Sequence, residues 1–176
     1  MILKNFLKEY KACENGYLFA KDLTLEEFLN TCPRGDWILW LFARTNPNSI
    51  REIALAAGHS ANTVRDLMED ERSTKAVDAT IAFGEGRIEI EELKVAARDA
   101  YSAYSDAAYS ACAADAYAAC AAYAAYSVAA VVACAADAYA TVDAVVAARK
   151  ENQKLTADIC RKYFPLDIWN QESLTI

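Results

Sequence analysis

The chain has 176 residues, 55% of them hydrophobic, which is enough for one domain with a substantial core. Its formal net charge of −7 argues against nucleic acid as a partner, because such a surface needs a basic stripe. Six cysteines with no CxxC pair, and one histidine in the whole chain, exclude a zinc framework and a disulfide scaffold. They fit a reducing cytosol, and no metal or other cofactor is expected.

The opening stretch MILKNFLKEYKACENG lacks a sustained apolar run, so no signal peptide is expected. Leu3, Phe6, Leu7 and Tyr10 are spaced for one helix face, with Asn15-Gly16 as its stop. Thr24 and Glu27 have the spacing of a capping box that opens a helix through Leu25, Phe28 and Leu29. Cys32-Pro33-Arg34-Gly35 ends that helix. Asp36 is then placed to cap Trp37 to Phe42, an apolar run expected to form a central core helix. The Arg34-Gly35-Asp36 triplet is read as loop and cap.

Asn46-Pro47-Asn48 is a turn signal, and Ser49 with Glu52 repeats the capping-box spacing. Gly58 is expected to end the helix that follows. A further helix is expected from about Ser60 to Glu71, and another from about Ser73 to Phe83, closed by Gly84-Glu85-Gly86. Near the C-terminus the pattern reads as a turn at Lys150-Glu151-Asn152, a helix from Leu155 to Phe164, and a stop at Pro165.

Between these parts lies an alanine tract. Residues 87 to 164 contain neither Gly nor Pro, and 26 of the 57 residues from Leu93 to Arg149 are Ala. The octapeptide ACAADAYA occurs at 111–118 and again at 133–140. Ala100, Ala111, Ala122, Ala133 and Ala144 recur every 11 residues, which is three helical turns, so they form a nearly straight methyl stripe. Such a stripe lets a second helix approach closely.

As one helix the tract would be about 85 Å long, far beyond the roughly 16 Å radius of gyration of a domain this size. Two or three antiparallel helices are therefore expected, with Ser105-Asp106, Ser127 and Thr141-Val142-Asp143 as soft spots; the alternative is a rod that pairs into a homo-oligomer. The uncharged run Ala116–Ala136 is long enough to cross a bilayer but holds only three Val and no Leu, Ile or Phe. No membrane association is expected. The fold class is thus all-α: a single domain over 1–176, a multi-helix bundle with long Ala-rich helices packed through small-residue stripes. Its parts are short capped helices (1–86), the Ala-rich repeat (87–149) and a C-terminal helix and tail (150–176).

Most catalytic constellations are excluded. No Glu or His lies between Val95 and Ala148, which removes a helical di-iron site. Asp115 and Asp137 lie about 33 Å apart along a continuous helix, too far for an acid–base pair. No Walker or GxGxxG motif occurs. Two binding clusters remain. His59, Asn62, Arg65 and Glu69 fall at three- and four-residue spacing and, with Arg72, Asp36 and Trp37, offer a donor-rich face for an acidic or phosphorylated partner. Tyr101, Tyr104 and Tyr109 begin a tyrosine series whose layers, with Asp residues beside them, either fill a core or line a pocket for a base-like ring.

The segments KACENGYLFAKD, TCPRGDWILWLF, LAAGHSANTVRDLMEDERSTKAVDATIAFGEG and ARKENQKLTADICRKYF, together with the Ala repeat, resemble an Ala-rich family of tailed phages and related bacterial loci. Members of that family are labelled immunity proteins of polymorphic-toxin systems. The chain departs from the pattern at Ile90, where similar sequences often carry Thr or Ser before the long helix. The resemblance implies a non-catalytic protein of the bacterial host cytoplasm that neutralises a toxin or defence effector by binding. The alternative, motivated by the tyrosine and aspartate layers of the repeat, is a sponge that sequesters a small nucleotide-type defence signal in a Tyr/Asp-lined helical pocket.

Overall fold

The computed structural model describes residues 2–68, 70–105 and 142–174, with side chains for 2–68, 70–100 and 147–174. The ACAADAYA repeats, most of the methyl stripe, Tyr109 and the question of where the tract breaks lie outside the described residues. Those described are mostly helical, with eight α-helices and no strand among them. A lone antiparallel bridge joins Ile2 to Thr24.

Helix α1 (Lys4–Glu9) buries Phe6 and Leu7. It stops at Lys11, which adopts φ 52°, while Ala12 N–H donates to Leu7 O at 2.9 Å and Lys11 N–H to Lys8 O at 3.1 Å. These two bonds close the last turn in the usual left-handed manner. Asn15-Gly16 is therefore not the stop but part of the first turn of α2 (Glu14–Ala20). A Cβ on Gly16 would lie 3.2 Å from Cys13 Sγ and 3.7 Å from the Trp37 ring, so the glycine serves packing. Helix α3 (Leu25–Thr31) opens with the expected capping box: Thr24 Oγ1 accepts from Glu27 N–H, and Glu27 Oε2 accepts from Thr24 N–H.

Helix α4 (Gly35–Thr45) is the expected core helix, with Ile38, Leu41 and Phe42 buried. Asp36 does not cap it. The helix begins two residues earlier than expected, at Gly35, and both Asp36 oxygens accept from Arg34 (3.0 and 2.6 Å). Helix α5 (Ile50–Asn62) starts after Ser49, whose side chain makes no capping bond, and runs straight through Gly58. Gly58 does not end the helix but marks a helix crossing: a Cβ there would lie 2.7 Å from Ile81 Cγ1. Gly84 makes the reciprocal approach to the Leu55 backbone, also at 2.7 Å.

No helix spans Ser60 to Glu71. A 3₁₀ turn (Arg65–Leu67) follows α5, and Asp70 then caps α6 (Glu71–Gly84). The α6 end is closed as expected, with Gly86 at φ 76° as the left-handed residue. Arg51 pins this turn by donating to Phe83 O (2.7 Å) and Glu89 (3.1 Å) while lying over the Phe83 ring. Helix α7 (Ile90–Ser105) packs on α6. Ile90 is its first residue, and Glu92 Oε1 accepts from Glu89 N–H in place of a Ser or Thr cap.

The last helix, α8 (Val142–Tyr163), is continuous through Lys150-Glu151-Asn152, where a turn was expected. No Gly or Pro interrupts it, and Asn152 is tied to the end of α5 by its bond to Thr63. It ends before Pro165, as expected, and the tail folds back over α4. Phe164 stacks on Phe42 at 3.9 Å, Trp169 meets both edge-on, and Ser173 Oγ donates to Thr45 O, a carbonyl at the C-terminal end of α4.

At its first residue α4 nearly touches α8. A Cβ on Gly35 would lie 2.5 Å from the Thr156 carbonyl carbon, which is backbone and cannot rotate away. Gly35→Ala is expected to destabilise the protein by about 1–3 kcal/mol through overpacking, outweighing the roughly 0.5–1 kcal/mol that Ala gains over Gly in a helix. Urea unfolding would show this as a lower midpoint at unchanged slope; an unchanged or higher midpoint would disprove the close contact.

Candidate functional site

The donor-rich face expected from sequence separates into parts. Because α5 ends at Asn62, His59 and Asn62 share its last turn, while Arg65 sits on the 3₁₀ turn beyond. Arg65 reaches across to α6 and holds Asp78 with two bonds of 2.6 and 2.8 Å; its Nη1 also donates to Asn62 Oδ1 at 3.3 Å. Arg72 turns back on Asp70, with Nε and Nη2 on its carboxylate at 3.1 and 2.9 Å. Their carboxylate partners, Asp78 and Asp70, are held below the ordinary range chiefly by these side-chain bonds. Arg34 is engaged likewise by Asp36 and lies 4.5 Å over the Trp37 ring. Each guanidinium named here is thus committed to a carboxylate of its own chain.

Asp36 and Trp37 lie in the first turn of α4, where Trp37 packs on Phe19 and Gly16 of α2. Cys160 of α8 reaches this corner: its thiol donates to Gly35 O at 3.4 Å. Burial pushes Cys160 up to about 12 and Cys32 up to about 11. Both therefore remain thiols at neutral pH and are poor nucleophiles. Tyr101 and Tyr104 lie on α7, away in sequence and element from this face; Tyr109 is outside the described residues.

What His59 and Asn62 do form is a shallow cleft with α8. It has a volume of about 260 Å³ and is lined by His59, Asn62, Thr63, Ile159, Lys162 and Tyr163. The His59 and Tyr163 rings stack, with centroids 5.1 Å apart and planes inclined by 12°. Lys162 Nζ lies 5.1 Å from the Tyr163 ring centroid. Thr63 is fully used as a wall: its hydroxyl donates to Ser60 O (2.7 Å) and accepts from Asn152 Nδ2 (2.9 Å).

Sequence reading missed Lys162, Tyr163 and Ile159. They stand about a hundred residues from His59, and no local periodicity connects the two segments. The i, i+3, i+4 spacing of Ile159, Lys162 and Tyr163 on a single helix was the available signal.

Among the described residues, no group of three or more His, Cys, Asp or Glu side chains could hold a metal ion. Nor is any helix among them long and apolar enough to cross a membrane. Comparison of the chain with protein-family models, curated proteins and solved structures gives no match.

His59 titrates below its ordinary 6.5, first because burial disfavours the imidazolium and second because Lys162 is near; Glu85 opposes both. The folded state therefore binds this proton less readily than the unfolded chain. The stability contributed by neutral His59 is complete above pH 6.5 and drains away as pH falls through the lower folded value. Between pH 7.5 and pH 5 the wild type is expected to lose more stability than His59→Gln, both read by urea unfolding at each pH. A steeper loss in the variant would refute the assignment.

Proposed function

We propose that the protein is a non-catalytic binding protein of the immunity or counter-defence type, acting in the bacterial cytoplasm on a toxin or host defence effector. The observation that supports this reading is the α5–α8 cleft, where Lys162, His59 and Asn62 converge and no carboxylate contributes to the lining. In a chain of net charge −7 such a spot is a local exception, suited to an acidic group on a partner. The two buried thiols argue in the same direction, because burial keeps both protonated and so removes two candidate nucleophiles.

The immunity assignment itself rests on the sequence resemblance, with the proposed surface moved from the Arg65–Arg72 side to the cleft. Arg65 and Asp78 then act as supports, since Arg65 fixes the Asn62 carboxamide and Asp78 fixes Arg65.

The test is retention of effector proteins from a bacterial host by immobilised protein, comparing wild type with Lys162→Glu. Lys162 is exposed, so the reversal leaves the core intact. Charge reversal at the centre of the contact is expected to lower retention about tenfold or more, the scale of a lost charge pair. Equal retention by both, or none by the wild type at micromolar concentration, would refute the proposal.

A further inference from the structure

The α5–α8 cleft has features that a flat protein contact does not require. Its lining holds a stacked pair of rings, the apolar Ile159 and a cation. Lys162 has no carboxylate partner among the described residues, and its ammonium lies 5.1 Å from the Tyr163 ring centroid. The orientation of the Asn62 amide follows from its neighbours. Arg65 donates to Oδ1, so the NH₂ group is on the other side, and it donates to nothing among the described residues. Two sets of donors and one aromatic wall thus border a space of about 260 Å³. That lies below the roughly 300–1,000 Å³ of pockets for drug-sized ligands, so the fit is to one ring system and one anionic group.

We infer that this cleft binds a small aromatic anion of the mononucleotide class, its ring against the His59–Tyr163 pair and its phosphate on Lys162 and Asn62. Tyr163 supplies stacking that is indifferent to base identity. Lys162 supplies a charge-assisted bond to the phosphate, and Asn62, pre-oriented through Arg65 and Asp78, supplies a second donor without further ordering. The site stands apart from the protein-capture reading, because a free mononucleotide needs no effector protein.

His59 is the only histidine of the chain, so its ring protons give one pair of NMR signals that report on the cleft directly. Adenosine 5′-monophosphate, adenosine and inorganic phosphate would be titrated separately into the intact protein. The monophosphate is expected to shift the His59 ring signals saturably and to raise the pH at which His59 protonates, since a phosphate on Lys162 offsets the cation that now opposes the imidazolium. Lys162→Gln should weaken the monophosphate about tenfold, or 1.4 kcal/mol, while leaving adenosine unchanged.

Tyr163→Leu should weaken adenosine and the monophosphate together; circular dichroism checks that it folds, and Lys162→Gln, altered only at an exposed side chain, tests the proposal independently of it. Three outcomes would overturn the inference: no shift at about 5 mM monophosphate, well above a millimolar Kd; inorganic phosphate acting as strongly as the nucleotide; or equal affinity in Lys162→Gln. None of these depends on whether an effector protein is captured.

Discussion

The molecule is organised by the approach of α8 to α4 at Gly35. With no side chain there, the Thr156 backbone comes within a distance that any Cβ would forbid, and the Cys160 thiol reaches the Gly35 carbonyl. Contact this close fixes the helix in register as well as in position. Arg161 adds a second anchor: its Nε donates to Leu29 O at 2.6 Å and its Nη2 to Cys32 O, meeting carbonyls that the end of α3 leaves without helical partners. Asp158 steadies the same guanidinium from one turn earlier. Once these bonds are made, α8 has no freedom to slide or rotate.

That register divides α8 into two stripes. Ala157, Cys160 and Phe164 recur at helical spacing and are buried with α4, Phe164 lying flat on Phe42. Asn152, Ile159 and Tyr163 recur at a similar spacing on an adjacent face and meet the end of α5, with Asn152 on Thr63 and Tyr163 on His59. The cleft is therefore a consequence of the core: rotating α8 enough to move Tyr163 off His59 would lift Phe164 from Phe42. The rings of a surface site are held here by interactions made on the neighbouring face of the helix.

The fold class and the strongest local signals were legible in the sequence, because they depend on neighbours. The Thr24–Glu27 box, the Trp37–Phe42 core run and the Gly86 turn each express a preference of a few consecutive residues. The misread positions are those where one residue type serves two physical ends. Gly16 and Gly58 permit a turn and equally permit close packing, and in this fold both are used for packing, against Trp37 and Ile81. Only the partner tells these uses apart, and Trp37 and Ile81 each lie more than twenty residues from the glycine they meet. The arginines carry the same lesson. Arg34–Asp36 and Arg72–Asp70 are two residues apart and could have been paired on sight, whereas Arg65–Asp78 closes only when α6 folds back along α5.

This pairing changes what the surface offers. Arg65 and Arg72, which look in sequence like ligands for an anion, spend their planar forks on carboxylates of the same chain, as Arg34 does, and exposed pairs of this kind contribute modestly to stability. Their effect is to fix geometry. Asp78 orients Arg65, and Arg65 orients Asn62, so the carboxamide at the cleft edge is set by a relay that starts on α6. Lys162 carries a compact charge on a flexible stem and is left facing an aromatic ring, so its ammonium can move to a partner without breaking an ion pair. The α5–α8 cleft is thereby a small cationic, ring-walled spot in an acidic protein, and the cost of ordering its Asn62 donor is met when the chain folds.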